Sequence, residues 1–113
     1  MKTLVVKRPW GQFEQFTKNE TTSVKIHTVN PGGKSSLQLH AKRAEFWHII
    51  SGEGSVWVGE QEYAVKPGDE YTIPVGVKHR WTAGSDGMVL LEINTGDFDE
   101  DDIVRIEDKY GRI

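Results

Sequence analysis

Gly32-Gly33-Lys34-Ser35-Ser36-Leu37-Gln38-Leu39-His40-Ala41-Lys42-Arg43-Ala44-Glu45-Phe46-Trp47 is the stretch whose reading decides the fold. Gln38 and His40 are separated by one residue, so on a β-strand both project from the same face. The run Ala41 to Ala44 suits a tight turn, after which Glu45 can enter from a neighbouring strand and meet them. Further along, Pro74-Val75-Gly76 reads as a rigid turn that launches another strand, and His79 follows it closely enough to face inward. Four oxygen and nitrogen donors from two halves of one chain can therefore reach a common point.

Outward from this stretch the chain is punctuated at short intervals by Pro31-Gly32-Gly33, Gly52-Glu53-Gly54, Gly59, Pro67-Gly68-Asp69, Gly84-Ser85-Asp86-Gly87 and Thr95-Gly96-Asp97. Between these breaks lie runs rich in Val, Ile, Thr, Trp and Tyr, predicting strands over 22–29, 45–50, 55–58, 71–73 and 88–93. No gap leaves room for a long helix. The expectation is an all-β sandwich or barrel, a single domain over residues 1–113, with alternate side chains pointing inward. By that alternation Trp47 and Ile49 share the inner face of Glu45, while Phe46 and His48 point outward against a second sheet or a partner subunit.

Composition narrows the chemistry. A net charge of -3 supplies no basic field for a nucleic-acid backbone, so nucleic acid is excluded as a partner. The absence of cysteine removes disulfides and thiolate ligands, leaving imidazole, carboxylate and amide groups for any metal. Met1-Lys2-Thr3-Leu4-Val5-Val6-Lys7 is too short in apolar residues for a signal segment, and no run approaches a membrane span. A cytoplasmic protein without membrane contact is expected. Asp97 to Asp102 holds five acids in six residues and reads as a solvated acidic turn.

Gln38, His40, Glu45 and His79 form a donor set for one divalent ion, with zinc first and Mn, Co, Ni or Fe as alternatives, and with positions left open for water or substrate. The competing reading is a barrel that has lost its metal, with Gln38 as the mark of that loss.

From Gly32, five residues lead to Gln38, one more to His40, four to Glu45 and six to Gly52. This resembles the first cupin motif, Gly-x5-His-x-His-x3-4-Glu-x6-Gly, with glutamine for the first histidine. Gly68, Pro74, Gly76 and His79 resemble the second motif, in which Ala83 takes the place of a final Asn. The resemblance implies a double-stranded β-helix, or jelly-roll barrel, and the four-residue metal site. Within the cupins, Ser36-Leu37-Gln38-Leu39-His40-Ala41-Lys42-Arg43-Ala44-Glu45-Phe46-Trp47 is similar to the Ser-Leu-Gln-x-His-x-x-Arg-Ala-Glu-x-Trp pattern of phosphomannose isomerase domains. That family explains the glutamine. The likeness extends to Arg8-Pro9-Trp10-Gly11 and to Asp101-Asp102-Ile103-Val104-Arg105 with Glu107-Asp108-Lys109-Tyr110-Gly111-Arg112. Departures are Phe46 for the usual His, Asn94 for the usual Gln, and Ala83.

What the resemblance implies is a metal-dependent aldose-ketose isomerase interconverting mannose 6-phosphate and fructose 6-phosphate. A base must then move a proton between C2 and C1 while a cation stabilises charge on oxygen. Glu92 is the candidate base. Arg43, at the edge of the ligand turn, is a candidate for phosphate or an enediolate oxygen. Lys25 alternates with His27 and Val29 and enters the cavity as a phosphate or hydroxyl donor if that face is inward; the opposite register would send it to solvent. Trp81 shares a face with His79 and can wall a sugar pocket. The alternatives are a non-catalytic sugar- or metabolite-binding metal cupin, and an iron-dependent dioxygenase, which Gln38 disfavours. A homodimer is expected, since so small a barrel gains core by covering exposed strands.

Overall fold

The computed structural model describes residues 3–113; Met1 and Lys2, the start of the N-terminal run read above, lie outside them. Nine strands follow in order: β1 (Leu4–Arg8), β2 (Gly11–Gln15), β3 (Thr22–Val29), β4 (Leu37–Leu39), β5 (Arg43–Val58), β6 (Gln61–Val65), β7 (Glu70–Ile73), β8 (His79–Gly96) and β9 (Val104–Glu107). β1 and β2 make a hairpin that, among the described residues, pairs with no other strand. The other seven form one antiparallel sheet wrapped around β5 and β8, which pair from Arg43–Gly96 to Val58–His79. The first half of β5 also pairs with β7 and its second half with β6, whereas the two halves of β8 pair with β4 and β3. Two half-sheets thus share the same long strands.

The breaks expected at Gly52-Glu53-Gly54 and Gly84-Ser85-Asp86-Gly87 are bends rather than turns. β5 and β8 run straight through them, and the register shifts between Ile49 and Ser51 and again between Gly52 and Gly54. The cause is close backbone approach. Gly52 has a φ of 85°, and a Cβ there would overlap the Gly87 carbonyl; one at Gly54 would overlap that of Thr82. Glycine lets the strands kink without losing their partner, which folds one half-sheet toward the other.

The core sits between the half-sheets and consists of Trp47, Ile49, Val56, Val65, Ile73, Ala83, Met88 and Leu90. Alternation along β5 puts Glu45, Trp47 and Ile49 on this inner face, as predicted, all of them buried. Phe46 and His48 face the other way, and Phe16 covers them with ring centroids 5.8 and 5.6 Å away. Their cover comes from this chain's own segment after β2. Trp47 joins this core to the buried polar side chains, its ring packing edge-on against His79 at 5.6 Å between centroids.

Candidate functional site

His40 lies just past β4, Glu45 near the start of β5, and His79 opens β8. Pairing of Gln38 with His79 and of Glu45 with Ile73 holds the three elements side by side. The Gly76 amide donates to the His40 carbonyl at 2.8 Å, tying the turn before His79 to the end of β4. His40, Glu45 and His79 consequently meet with their donor atoms within 4.8 Å of one another, all three residues buried.

The hydrogen bonds define the state of each ring. His40 Nδ1 lies 2.6 Å from the Asp102 carbonyl and His79 Nδ1 lies 2.9 Å from that of Val77. A carbonyl can only accept, so each Nδ1 carries a hydrogen, and in the neutral ring Nε2 presents the lone pair. Both Nε2 atoms face Glu45 Oε2, at 2.7 and 3.2 Å. Arg43 Nη2 donates to His40 Nε2 at 3.2 Å, but among the described residues nothing hydrogen-bonds to His79 Nε2. Trp47 Nε1 donates to Glu45 Oε1 at 2.9 Å and fixes the carboxylate plane. Burial alone would raise the Glu45 carboxyl, but a proton on the Nε2 of the adjoining imidazoles, His40 first, outweighs it and holds the group far below the usual carboxylate range. Two imidazole lone pairs and an ionised carboxylate oxygen converging in a buried place are the donor set of a divalent cation, and the residues fit one.

Gln38 is beside this trio through its pairing with His79, but its Oε1 accepts the Ser36 hydroxyl at 2.6 Å. An amide oxygen has a second lone pair, so the bond to Ser36 orients the group without exhausting it.

Beside the trio opens a cavity of about 560 Å³. Lys25, His27, Gln38, Arg43, Trp81 and Glu92 are among its lining residues. Lys25 is directly opposite Glu92 in the β3–β8 register, so the inward alternative for Lys25 is the one realised. Its ammonium pairs with Glu100 at 2.8 Å and sits 4.5 Å from the Phe98 ring centroid. Glu92 is 6% exposed, with Oε1 3.1 Å from His27 Nε2 and Oε2 accepting from Asn94 Nδ2 at 2.9 Å. Arg43 is deeper than the rim position expected of it. It is 6% exposed, reaches both His40 and Glu45, and donates from Nη1 to the Asp99 carbonyl at 3.0 Å. Trp81 walls the cavity and packs against His27 at 5.2 Å between centroids.

The acidic segment 97–102 is more than a solvated turn. Its backbone anchors Arg43 and His40, Glu100 neutralises Lys25, and Asp102 accepts the Ala41 and Lys42 amides at 2.8 and 2.9 Å. Phe98 lies under both Lys25 and Arg43. Sequence reasoning missed this because a charge run carries no sign of what its backbone touches. It also passed over His27, Lys34 and Arg105 as cavity residues. Lys25–His27 alternation was the available signal for His27. For Arg105 there was none, since its place beside Gln38 comes from the long-range β4–β9 pairing.

The family described as mannose-6-phosphate isomerase C-terminal matches residues 2–108. The chain belongs to this family. Among its relatives, xanthan biosynthesis protein XanB of Xanthomonas campestris is 41% identical over 109 residues, covering 95% of this chain and 23% of that protein. A mannose-1-phosphate guanylyltransferase of Klebsiella pneumoniae is 38% identical over the same share of both chains. This chain thus spans 23% of the length of these relatives. Of solved structures, a cupin-2 domain from Rhodospirillum rubrum superposes with a TM-score of 0.66 at 28% identity, over 88% of this chain and 72% of that one. The mannose-6-phosphate isomerase C-terminal domain seen here is therefore an all-β cupin barrel. Among the described residues no helix is long and apolar enough to cross a membrane.

Proposed function

We propose that this mannose-6-phosphate isomerase C-terminal domain interconverts mannose 6-phosphate and fructose 6-phosphate. The observation that carries the reading is Glu92, a buried carboxylate held between His27 and Asn94 on the wall of a cavity that adjoins the His40–Glu45–His79 cluster. A base so placed can work on a sugar carbon that the cluster and Arg43 address through oxygen.

In the aldose-to-ketose direction Glu92 takes the proton from C2 of the open-chain sugar, and the C2–H electron pair forms the C1–C2 double bond of an enediolate. The same carboxyl returns the proton to C1 while the O2 hydrogen passes to O1, so that O2 becomes the ketone oxygen and O1 the hydroxyl. Substrate and product are isomers, so no oxidant or reductant is needed. His27 holds Oε1 and Asn94 holds Oε2, which fixes the carboxylate plane during transfer. Arg43 supplies positive charge where the enediolate oxygens develop theirs. Lys25, partly neutralised by Glu100, is suited to a sugar hydroxyl. Lys34 and Arg105 also line the cavity, and among the described residues neither is ion-paired with a carboxylate, which suits both to the substrate phosphate. His40, Glu45 and His79, with Gln38 alongside, would hold one divalent ion, zinc first; when bound it supplies Lewis-acid polarisation and orientation of sugar oxygens.

The runner-up is a sugar-binding domain without turnover. The two departures that suggested it lose force here, since Phe46 faces away from the cavity onto Phe16 and Asn94 supports Glu92. The name of the Klebsiella relative concerns mannose 1-phosphate, which agrees with a hexose phosphate ligand for the shared domain. The deciding experiment supplies the zinc-loaded chain with mannose 6-phosphate and follows sugar binding and fructose 6-phosphate by NMR. Binding with turnover supports the isomerase; saturable binding without turnover selects the runner-up.

A further inference from the structure

A second cluster of ligating side chains stands on the outer surface, away from the cavity. His48 and Glu70 are register partners in the β5–β7 pairing, so their side chains share the outer face, and His48 Nδ1 lies 2.7 Å from Glu70 Oε2. Glu14, from the hairpin strand β2, brings Oε1 to 4.0 Å from the same nitrogen. The three donor atoms lie within 4.8 Å of one another.

The charges of this group are not balanced by protein. Among the described residues neither Glu14 nor Glu70 pairs with a lysine or arginine; His48 is their shared partner. A neutral imidazole has one N–H and can satisfy one carboxylate, leaving a second negative charge beside the first. The side chains are 23–28% exposed, which leaves room for water on a bound ion, and the Phe16 ring covers His48 edge-on. One imidazole and two carboxylates from three separate elements, with open positions, match the ligand preferences of zinc-class divalent cations.

We infer that Glu14, His48 and Glu70 form a second divalent-cation site, which ties the N-terminal hairpin to the barrel. Among the described residues the hairpin pairs with no other strand, and an isolated hairpin is marginal in water. A cation held by Glu14 and by the β5–β7 surface fastens it at its second strand. This site is independent of the isomerase reading and of the ligands in the barrel.

The test is a zinc titration of the whole chain by calorimetry, with the histidine ring resonances followed by NMR. The wild type should bind one equivalent more than the Glu14→Gln/Glu70→Gln variant, whose barrel ligands are untouched. His48 ring signals should shift with zinc in the wild type and in a His40→Ala/His79→Ala variant. Equal stoichiometry in the wild type and the Glu14→Gln/Glu70→Gln variant would overturn the inference, as would His48 signals unmoved by excess zinc in the wild type.

Discussion

His79 Nε2 lies 3.2 Å from Glu45 Oε2 with no hydrogen bond between them, although both residues are buried. A ring nitrogen aimed at a carboxylate oxygen in the interior is costly unless a proton or a metal cation lies between them. His79→Ala should therefore lower zinc affinity by at least about 100-fold, beyond the 10–100-fold typical of residues that only orient a ligand. Trp47→Phe keeps the ring packing but removes the N–H on Glu45 Oε1, and should fall within that smaller range. Metal content after dialysis against a competing chelator measures both.

Glu92→Gln keeps the shape of the side chain and its contact with His27 while abolishing the base. The expected result is a drop in kcat of about 10²–10⁴ with KM nearly unchanged, the range for loss of a positioned general base. Steady-state kinetics with mannose 6-phosphate check the split.

Replacing Arg105 or Lys34 by alanine should act on binding. A charge-assisted hydrogen bond contributes about 1.5–3 kcal/mol, or roughly 10–100-fold in affinity. KM for the phosphorylated sugar should rise by that factor, while weak binding of unphosphorylated mannose stays as it was. Lys25→Ala, which breaks the pair with Glu100, should weaken both sugars to a similar degree.

Asp102 gives a pH dependence with a definite sign. The Ala41 amide holds its carboxyl below the ordinary value of 3.8; burial opposes it, and the Lys42 amide adds to the lowering. A carboxyl depressed in the folded state adds stability that is fully present above its unfolded value and is lost as pH falls through the folded one. Asp102→Asn should accordingly lower the thermal midpoint at pH 7, and the gap from wild type should close as pH drops below about 4. Scanning calorimetry between pH 2 and pH 7 follows it. Because the Asp102 carbonyl also anchors His40, a looser turn should weaken metal binding at neutral pH.

The clustering of His40, Glu45 and His79 was legible because side chains on a strand repeat every two residues and because motif spacing is local. Gln38, His40 and Glu45 lie within eight positions of one another, and the turn before His79 carries its own proline and glycine. The bends at Gly52 and Gly87 were read as chain reversals, since glycine marks a turn and a kinked strand alike; only the backbone of the facing strand separates the two. Alternation placed Lys25 with His27 but left their face undecided, and pairing with Glu92 is what settles it. Arg105 and Asp102 reach the site from the chain's far end through strand pairing and backbone contacts that no local pattern encodes.

The central claim is that Glu92 moves a proton on a sugar carbon inside this cavity. Incubating the zinc-loaded protein with mannose 6-phosphate in D₂O and recording the sugar proton spectrum tests it most directly. Fructose 6-phosphate should appear with deuterium at C1, and exchange should be lost in Glu92→Gln. Sugar recovered with no isomerisation and no deuterium, from protein that binds it, would contradict the account.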